Sequence, residues 1–392
     1  MAQARDLFIP ETPAELTSEW LTTALSDVTE GQGRVTGLQQ QVLGEGEGFL
    51  GDLLRITPTY APVAGEAKKA AISLPNSMIA KLPKLENRTM GEMLGAYERE
   101  NMFYMTLADE LPVATPRLYY AQLDRDADSE KQLEILRALD KLPNWMFGAV
   151  SKLGGWVAER KKRRYVLLIE DINDAAPGDQ VAGADPSRAQ QVVEALALLH
   201  AHFWQSQTLD GHFWLLPLDV DARMKHGLSK KSLPLFEKVF GDVLDAGLRS
   251  YVDEVMARGP DTLYELCKSP QTLLHGDMRL DNVFFRESEV VFFDWQLVRR
   301  GPAAYDLAYL LSGGLAPDYG SADGLLDTYH AALVAAGVSG YSRDQLQRDY
   351  QLALLVVLSP LLAIDQIELG EDRGMVMMRL WIERLLGRLQ AL

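Results

Sequence analysis

The sequence predicts an α+β fold of two lobes, a β-rich first lobe followed by a mostly helical second lobe. Short strand-like apolar runs dominate the first 172 residues, whereas most segments from Ser187 onward repeat their apolar residues at the helical period. The polar stretch 173–186 separates the two patterns. We therefore place the first lobe at 1–172 and the second at 173–392.

The strand and helix boundaries follow from the same periodicity. A helix is predicted at 15–28 and a second at 90–111, where Pro112 closes it. Between and after these helices, the predicted strands of the first lobe are 35–43, 53–60, 78–82, 117–123 and 165–169. In the second lobe, short strand-like runs interrupt the helices at 272–293.

Composition narrows the possible functions. The 392 residues are 47% hydrophobic and 24% charged, the mixture of a globular protein with enough apolar surface to offset chain entropy. The single cysteine, Cys267, excludes a disulfide scaffold and a cysteine-rich zinc site. A net charge of −16 argues against nucleic acid and anionic membranes as partners.

Neither the start of the chain nor its most apolar run predicts membrane insertion. Residues 1–6 lack the apolar core of a signal peptide. The run 352–364 is shorter than a membrane span and contains Pro360, so we interpret it as a buried helix. We expect a cytoplasmic protein.

The segment 274–285 contains the residue types that phosphoryl transfer requires. Asp277 precedes Asn282 by five positions, and the strand-like run 290–293 ends at Asp294. One carboxylate can accept the proton of an attacking hydroxyl, while an amide oxygen and a second carboxylate can hold magnesium. The spacing matches a kinase catalytic loop. The alternative interpretation is a polar turn between two buried strands.

Two features of the first lobe suit a nucleotide. Gly46 and Gly48 belong to a G-x-G-x-x-G pattern that leads into a strand, which favours a hairpin covering phosphates over a dinucleotide-binding turn. A flexible hairpin turn is the alternative. The second feature is Lys81, which ends an apolar strand as phosphate-contacting lysines do. Snorkelling toward water is the alternative for this lysine.

The helix predicted at 90–111 offers Lys81 a partner. Glu100 lies three residues after Tyr97, within the apolar stripe of that helix. An inward glutamate needs a cation, because an unpaired buried carboxylate is costly. We therefore expect Lys81 to pair with Glu100 and Glu98 to lie on the solvated face.

These motifs together resemble the aminoglycoside phosphotransferase and choline kinase superfamily, the small-molecule relatives of protein kinases. Three segments resemble its ecdysteroid-kinase-like branch: Phe293-Asp294-Trp295-Gln296, Tyr97-x-x-Glu100-x-x-x-Tyr104 and Leu196-Ala197-x-Leu199-His200-Ala201-x-x-Trp204. The resemblance implies a protein-kinase-like fold, with an antiparallel sheet and a helix in the first lobe. It also implies ATP and magnesium as cofactors and a hydroxyl-bearing small molecule as acceptor.

The resemblance further implies a role for each matching residue. Asp277 resembles the catalytic base, Asn282 and Asp294 the magnesium ligands, His275 the histidine that supports the loop, and Asp306 the carboxylate that braces it. The segment 169–172 resembles the hinge that holds adenine. The residues implied in nucleotide binding are Gly46, Gly48, Lys81, Glu100, Glu170 and Ile172.

The segment 125–164 is an insertion that predicts two amphipathic helices. One stripe includes Leu133 and Leu136, and the other runs from Trp145 to Trp156. We favour packing of the stripes on each other and on the first lobe; dimerisation and capping of a hydrophobic acceptor are the alternatives. The basic run 160–164 is either a helix end or a landing site for an anionic acceptor.

Other conspicuous side chains have structural interpretations that we prefer. His200 and His202 do not share a helix face, so a metal site is disfavoured. Core packing is the preferred role of the aromatic candidates for a substrate cage, Trp204, Tyr305 and Trp381. A solvated helix face is preferred over a cationic-substrate site for the acidic cluster Asp365, Glu368, Glu371 and Asp372.

The main interpretation is a kinase that phosphorylates an alcohol of unknown identity, and two alternative functions remain. One is an antibiotic kinase of the aminoglycoside type. The other is a pseudokinase that binds nucleotide and regulates a partner, which the presence of Lys81, Asp277, Asn282 and Asp294 argues against. The sequence leaves open the acceptor, the choice of ATP over GTP, and the oligomeric state.

Overall fold

The computed structural model describes residues 7–30, 33–43, 51–62, 74–84, 88–124, 131–143, 146, 163–287, 289–316, 319–363 and 371–391. Contacts divide the chain into two compact units. The first unit comprises Met1–Glu110, Pro116–Asp126 and Leu153–Asn173. The second unit comprises Leu111–Thr115, Ala127–Lys152 and Asp174–Leu392.

The described part of the first unit is built around an antiparallel sheet. Its strands, in the spatial order β1-β2-β3-β5-β4, are β1 (Gly33–Leu43), β2 (Gly51–Pro62), β3 (Met78–Pro83), β4 (Leu118–Leu123) and β5 (Tyr165–Glu170). These bounds confirm the strands predicted for the first lobe. Alternate residues of β3 are buried, as expected of a strand with one face in the core.

Helix α1 (Ser18–Ala24) covers the sheet of the first unit. Thr17 caps it by accepting a hydrogen bond from the backbone N–H of Trp20 at 3.2 Å. Trp20 and Leu21 are buried in a core that they share with Leu54 and Ile56 of β2. The helix is shorter than the predicted 15–28, because a separate 3₁₀ turn, Pro13–Glu15, precedes it.

The single helix predicted at 90–111 is two helices, α2 (Arg88–Leu94) and α3 (Ala96–Thr106). Gly95 separates them with a φ of +64°, a left-handed conformation that glycine adopts at low cost. The ring of Tyr97 then packs against Gly91, where an added Cβ would lie 2.3 Å from it. The prediction was wrong because periodicity does not register a single left-handed residue.

The second unit is mostly helical, and its small strands flank the loop that contains Asp277. Strand β7 (Gln271–Leu274) pairs with β10 (Arg299–Pro302). Strand β8 (Val283–Phe285) pairs with β6 (Ala176–Pro177) and with β9 (Val290–Phe292). The segment with Asp277 therefore connects two different small sheets, which anchor both of its ends. The α+β fold class is confirmed.

The helices of the second unit pack around an apolar core. Those not yet named are α4 (Gln132–Asp140), α5 (Pro186–His202), α6 (Ala222–Phe240), α7 (Ala246–Leu266), α8 (Ala304–Gly313), α9 (Asp323–Ala335), α10 (Arg343–Leu361) and α11 (Glu371–Gln390). Helix α10 contacts α7, α8 and α11. The apolar run predicted as a buried helix forms the end of α10, where Ala353, Leu354 and Val357 are fully buried. No helix among the described residues is long and apolar enough to cross a membrane.

The described helix of the insertion, α4, belongs to the second unit rather than to the first, where we expected it to pack. It lies against α6. The carboxylate of Asp140 accepts hydrogen bonds from the backbone N–H groups of Arg223 (2.8 Å) and Met224 (3.2 Å), and from the Tyr264 hydroxyl. Asp140 therefore caps the first turn of α6, which explains the attachment. Trp145 and Trp156 lie outside the described residues.

Candidate functional site

Asp277 lies in the loop between β7 and β8, and other residues of the second unit hold its carboxylate. The Tyr309 hydroxyl donates a hydrogen bond to Oδ1 at 2.8 Å. The Asn282 side chain donates from Nδ2 to Oδ2 at 3.0 Å and to the Asp277 carbonyl at 2.9 Å. Arg279 places Nε 3.3 Å from Oδ2. The side chain of Asp277 is 15% exposed, so the oriented carboxylate can still be reached.

Asp306, at the start of α8, braces the loop from beneath. Its carboxylate is fully buried and accepts hydrogen bonds from the backbone N–H groups of His275 (2.6 Å) and Gly276 (3.0 Å). Gly276 has a φ of +82°, and an added Cβ would lie 2.0 Å from the carbonyl oxygen of Leu297. The loop conformation therefore requires glycine at this position.

His275 ties the loop to the strand that follows it. Its Nε2 lies 2.9 Å from the carbonyl oxygen of Phe293, and its Nδ1 accepts a hydrogen bond from the backbone N–H of Asp277 at 3.3 Å. These two contacts assign the proton of the neutral ring to Nε2. The ring also packs on Trp295, with centroids 4.6 Å apart. His275 therefore supports the loop by contacts with Phe293 and Asp277, as predicted.

Asp294 directly follows β9 in a left-handed conformation, with φ of +65° and ψ of +63°. This conformation is unusual for a residue other than glycine, and such residues cluster at functional sites. The backbone N–H of the preceding Phe293 donates to the carbonyl oxygen of Asn282 at 3.1 Å, which links the two candidate metal ligands through the backbone.

The donor set at Asn282 and Asp294 suits magnesium. The hydrogen bonds that the Asn282 side chain makes within the described part of the chain both use Nδ2. Its amide oxygen is therefore the atom that could face a cation, and Asp294 supplies a carboxylate. Magnesium prefers oxygen ligands of these two kinds and usually keeps several waters, so two protein ligands are sufficient.

In the first unit, Lys81 and Glu100 form the predicted ion pair. Lys81 lies within β3, in register with Leu53 of β2 and Leu167 of β5. Its Nζ is 2.5 Å from Oε1 of Glu100, and the two side chains are 12% and 5% exposed. The expected contact is confirmed, although the helix that carries Glu100 begins only after the break at Gly95.

Glu98 is not on a solvated face, and this expectation was wrong. Its side chain is 6% exposed and lies 2.8 Å from the guanidinium of Arg163. Arg163 also pairs with Glu92 at 2.8 Å, and Glu92 accepts a hydrogen bond from the hydroxyl of Tyr165. Burial raises the pKa of Glu92, while Arg163 opposes that effect. The first unit therefore buries a second ion cluster beside the Lys81 pair.

The basic run 160–164 has internal partners where it is described. Arg163 is committed to Glu92 and Glu98, and Arg164 lies 2.9 Å from Asp124. The side-chain hydrogen bond from Arg164 lowers the pKa of Asp124. Arg163 and Arg164 are thus paired with carboxylates of the first unit and directly precede β5. The rest of the run, 160–162, lies outside the described residues.

The segment predicted as the adenine hinge, 169–172, begins within the end of β5 and is well anchored. Glu170 exchanges hydrogen bonds with the backbone of Arg117. Asp171 forms a 2.7 Å ion pair with Arg55 of β2, and Ile172 is buried. The glycine-rich turn with Gly46 and Gly48, and the acidic residues 365 and 368, lie outside the described residues. The side chains of 371 and 372 also do.

The other conspicuous side chains are parts of the core. His200 is fully buried, with Nδ1 2.7 Å from the Tyr329 hydroxyl and Nε2 3.4 Å from Asp306. Trp381 is buried and donates from its indole nitrogen to Ser312 at 3.1 Å. Tyr305 is also buried. The preferred structural interpretations of these residues are confirmed.

Sequence reasoning missed Tyr309 and Arg279, which both contact Asp277. The signal for Tyr309 was its spacing: it lies three residues after Asp306, and residues three apart share a helix face. The signal for Arg279 was its position within the loop itself. The negative charge of Asp277 raises the pKa of Arg279, which keeps this arginine cationic.

Comparisons with known proteins bear on the family and the fold of the chain. A family model described as the ecdysteroid kinase-like family matches residues 45–337. A choline kinase from Cryptosporidium parvum has a similar fold, with a TM-score of 0.50, 10% identity, and coverage of 90% of this chain and 87% of its own. This likeness confirms the expected protein-kinase-like fold.

Two further solved structures resemble the chain more loosely. A choline/ethanolamine kinase family protein from Mesorhizobium loti gives a TM-score of 0.45 at 12% identity, covering 95% of this chain and 92% of its own. An APH(2″)-IIIa in complex with GDP and kanamycin gives 0.47 at 15% identity, covering 95% and 97%. No curated protein matches the chain in sequence.

Proposed function

Because the chain belongs to the ecdysteroid kinase-like family, we propose that it is a kinase that transfers the γ-phosphoryl group of ATP to a hydroxyl group of a small molecule. The observation that supports this most strongly is the arrangement at Asp277. Its carboxylate is held by Asn282 and Tyr309 and is still partly exposed, while the loop beneath it is fixed by Asp306. A carboxylate that is oriented and accessible in this way can accept the proton of an attacking hydroxyl group.

In the proposed reaction, Asp277 accepts the proton of the acceptor hydroxyl as the hydroxyl oxygen bonds to the transferred phosphorus. The bond between that phosphorus and the bridging oxygen of ATP breaks, and ADP leaves with the electron pair. Asn282 and Asp294 would hold magnesium, which neutralises phosphate charge when it is bound. Asn282 has a second task, because its Nδ2 keeps the Asp277 carboxylate in place.

The first unit is proposed to bind the nucleotide. Lys81 contacts the phosphates, and Glu100 keeps the ammonium group in position. The backbone around Glu170 and Ile172 is proposed to hold adenine, because this segment includes the end of the antiparallel strand β5 and is anchored by contacts with Arg117 and Arg55. Gly46 and Gly48 are proposed to cover the phosphates. The second unit supplies the catalytic loop and the helices that select the acceptor.

A mass-based screen tests this function. The purified protein is incubated with MgATP and a pool of alcohols that contains choline, ethanolamine and kanamycin, and then with a metabolite extract. We expect an ATP-dependent mass gain of one phosphate in a component of the pool or the extract. Asp277→Asn is the matched control and should lower the rate of the gain by about 10²–10⁴-fold. An equal rate with the wild type and this variant would contradict the role of Asp277, whereas ATP binding with no mass gain in either would favour a nucleotide-binding regulatory module.

A further inference from the structure

Helix α8 supports successive residues of the catalytic loop with side chains one turn apart. The Asp306 carboxylate accepts hydrogen bonds from the backbone N–H groups of His275 and Gly276. The Tyr309 hydroxyl donates a hydrogen bond to the carboxylate of the next residue, Asp277. Residues three apart on a helix lie on one face, so a single face of α8 holds three consecutive positions of the loop. At His275 and Gly276 the helix contacts the backbone of the loop, whereas at Asp277 it contacts the side chain.

The ring of Tyr309 is itself fixed by packing. It meets the indole of Trp381 edge to face, with centroids 4.7 Å apart and planes at 79°. Trp381 is anchored by its hydrogen bond to Ser312, and the centroid of the Tyr305 ring lies 5.9 Å from that of the Tyr309 ring. Edge-to-face aromatic contacts of this kind prefer one orientation. The packing of the ring therefore fixes the position of the Tyr309 hydroxyl next to Oδ1 of Asp277.

The Tyr309 hydroxyl acts as a donor and not as an acid. Burial raises its pKa well above the ordinary value, and the negative charge of Asp277 raises it further. The tyrosine therefore stays protonated, and its hydroxyl donates a hydrogen bond to Oδ1 at 2.8 Å. Hydrogen bonds from neutral donors to a charged acceptor are stronger than those between neutral groups.

The two oxygens of Asp277 are thus held from different directions. Asn282 donates to Oδ2, and Arg279 lies near the same oxygen. Tyr309 donates to Oδ1. Each carboxylate oxygen can accept about two hydrogen bonds, so the bond from Tyr309 leaves Oδ1 able to accept a second one. With at least one donor on each oxygen, rotation of the carboxylate about its Cβ–Cγ bond is restricted.

We propose that Tyr309 is a positioning residue for phosphoryl transfer, whose hydroxyl fixes the plane of the Asp277 carboxylate so that Oδ1 can receive the acceptor proton. This inference rests on the proposed function. The tyrosine proton stays on Tyr309 throughout, and the acceptor proton goes to Asp277. Orientation of a catalytic group within tens of degrees is a large part of the rate enhancement of such reactions.

The test measures ADP release from MgATP in the presence of the alcohol pool and metabolite extract described above. Tyr309→Phe removes the hydroxyl and retains the ring that packs on Trp381. We expect kcat to fall by about 10–100-fold, the kinetic equivalent of a lost hydrogen bond to a charged group. The KM for MgATP and the thermal midpoint should stay near the wild-type values. Tyr305→Phe, one turn earlier on the same helix, is the matched control and should leave kcat within about twofold.

A double-mutant cycle separates positioning from a structural role. In the Asp277→Asn background, Tyr309→Phe should cost less than about twofold, because the hydroxyl acts through the carboxylate that is already gone. Equal losses in both backgrounds, or a loss confined to KM or to thermal stability, would overturn the positioning role and leave the kinase function intact. Absence of phosphoryl transfer by the wild type would overturn both.

Discussion

Glu100 in the first unit and Asp277 in the second are both oriented carboxylates, but they are held by different kinds of partner. Glu100 is 5% exposed and meets the ammonium of Lys81 at 2.5 Å. Asp277 is 15% exposed; its hydrogen bonds come from a hydroxyl and an amide, and the nearest cation, Arg279, is more distant at 3.3 Å. A full ion pair suits a carboxylate whose task is to hold a cation. Neutral donors orient a carboxylate and leave it able to take a proton.

The same contrast separates the supporting residues of the two units. In the first unit, Arg163 is buried between Glu92 and Glu98, so charge again meets charge. In the second unit, the fully buried Asp306 is satisfied mainly by backbone N–H groups. The type of partner, more than burial, thus distinguishes a carboxylate that anchors a cation, such as Glu100, from one that shapes a loop, such as Asp306, and from one proposed to accept a proton, such as Asp277.

Removal of Asp294 is expected to have the largest effect. Asp294→Ala deletes one of the two proposed magnesium ligands, so magnesium-dependent nucleotide binding and activity should be lost together. Isothermal titration with ATP, in the presence and absence of magnesium, measures the first, and ADP release measures the second. Asp327→Ala, at an exposed carboxylate that pairs with Arg343, is the control. Unchanged magnesium affinity in the nucleotide complex would remove Asp294 from the list of ligands.

Asp277→Asn should follow in size and tests the catalytic side of the comparison. The substitution keeps the shape and removes the proton acceptor, so turnover should fall by about 10²–10⁴-fold. Nucleotide affinity should change little, because the proposed nucleotide contacts lie elsewhere. Steady-state kinetics and a nucleotide titration give the two quantities. Turnover near the wild-type level would show that Asp277 is not the base.

Lys81 and Glu100 should behave as one unit. Lys81→Ala and Glu100→Ala should each lower kcat/KM for MgATP, and the double variant should lose much less than the sum of the two free energies. An interaction energy of about 0.5–3 kcal/mol is expected for groups in direct contact. Strictly additive losses would mean that the ion pair has no part in nucleotide positioning.

The smallest effect on activity is expected at Glu98, although it is two residues from Glu100. Glu98→Gln removes the charge of the ion pair with Arg163 and leaves the buried guanidinium less well paired. The free energy of unfolding should therefore fall by about 1–3 kcal/mol. The urea midpoint measures this change. Its kcat should remain within about twofold of the wild type, whereas Glu100→Gln, the matched variant, should lower kcat. A loss of activity at Glu98 equal to that at Glu100 would erase the distinction between the two clusters.

The sequence was sufficient for the parts of the molecule that local patterns determine. The strands, the Lys81–Glu100 pair and the loop with Asp277 and Asn282 follow from periodicity and short spacing. The break at Gly95 was missed because the helical pattern continues across it. Glu98 was misinterpreted because its partner Arg163 lies 65 residues away, in a basic run that we interpreted as either a helix end or a landing site for an anionic acceptor. Tyr309 was missed because a tyrosine in an apolar helix is an ordinary core residue until the contact is seen.

The support that α8 gives to the loop with Asp277 has a consequence for the order in which the candidate site forms. His275 and Asp306 are 31 positions apart, so the loop leaves the ribosome well before the helix that shapes it. Until α8 folds beneath it, the backbone N–H groups of His275 and Gly276 lack their acceptor and the carboxylate of Asp277 lacks its tyrosine donor. A nascent or truncated chain that ends before α8 therefore carries every residue of the loop motif without the contacts that orient Asp277. The order of synthesis thus delays formation of the candidate site until α8 is available to fold against the loop.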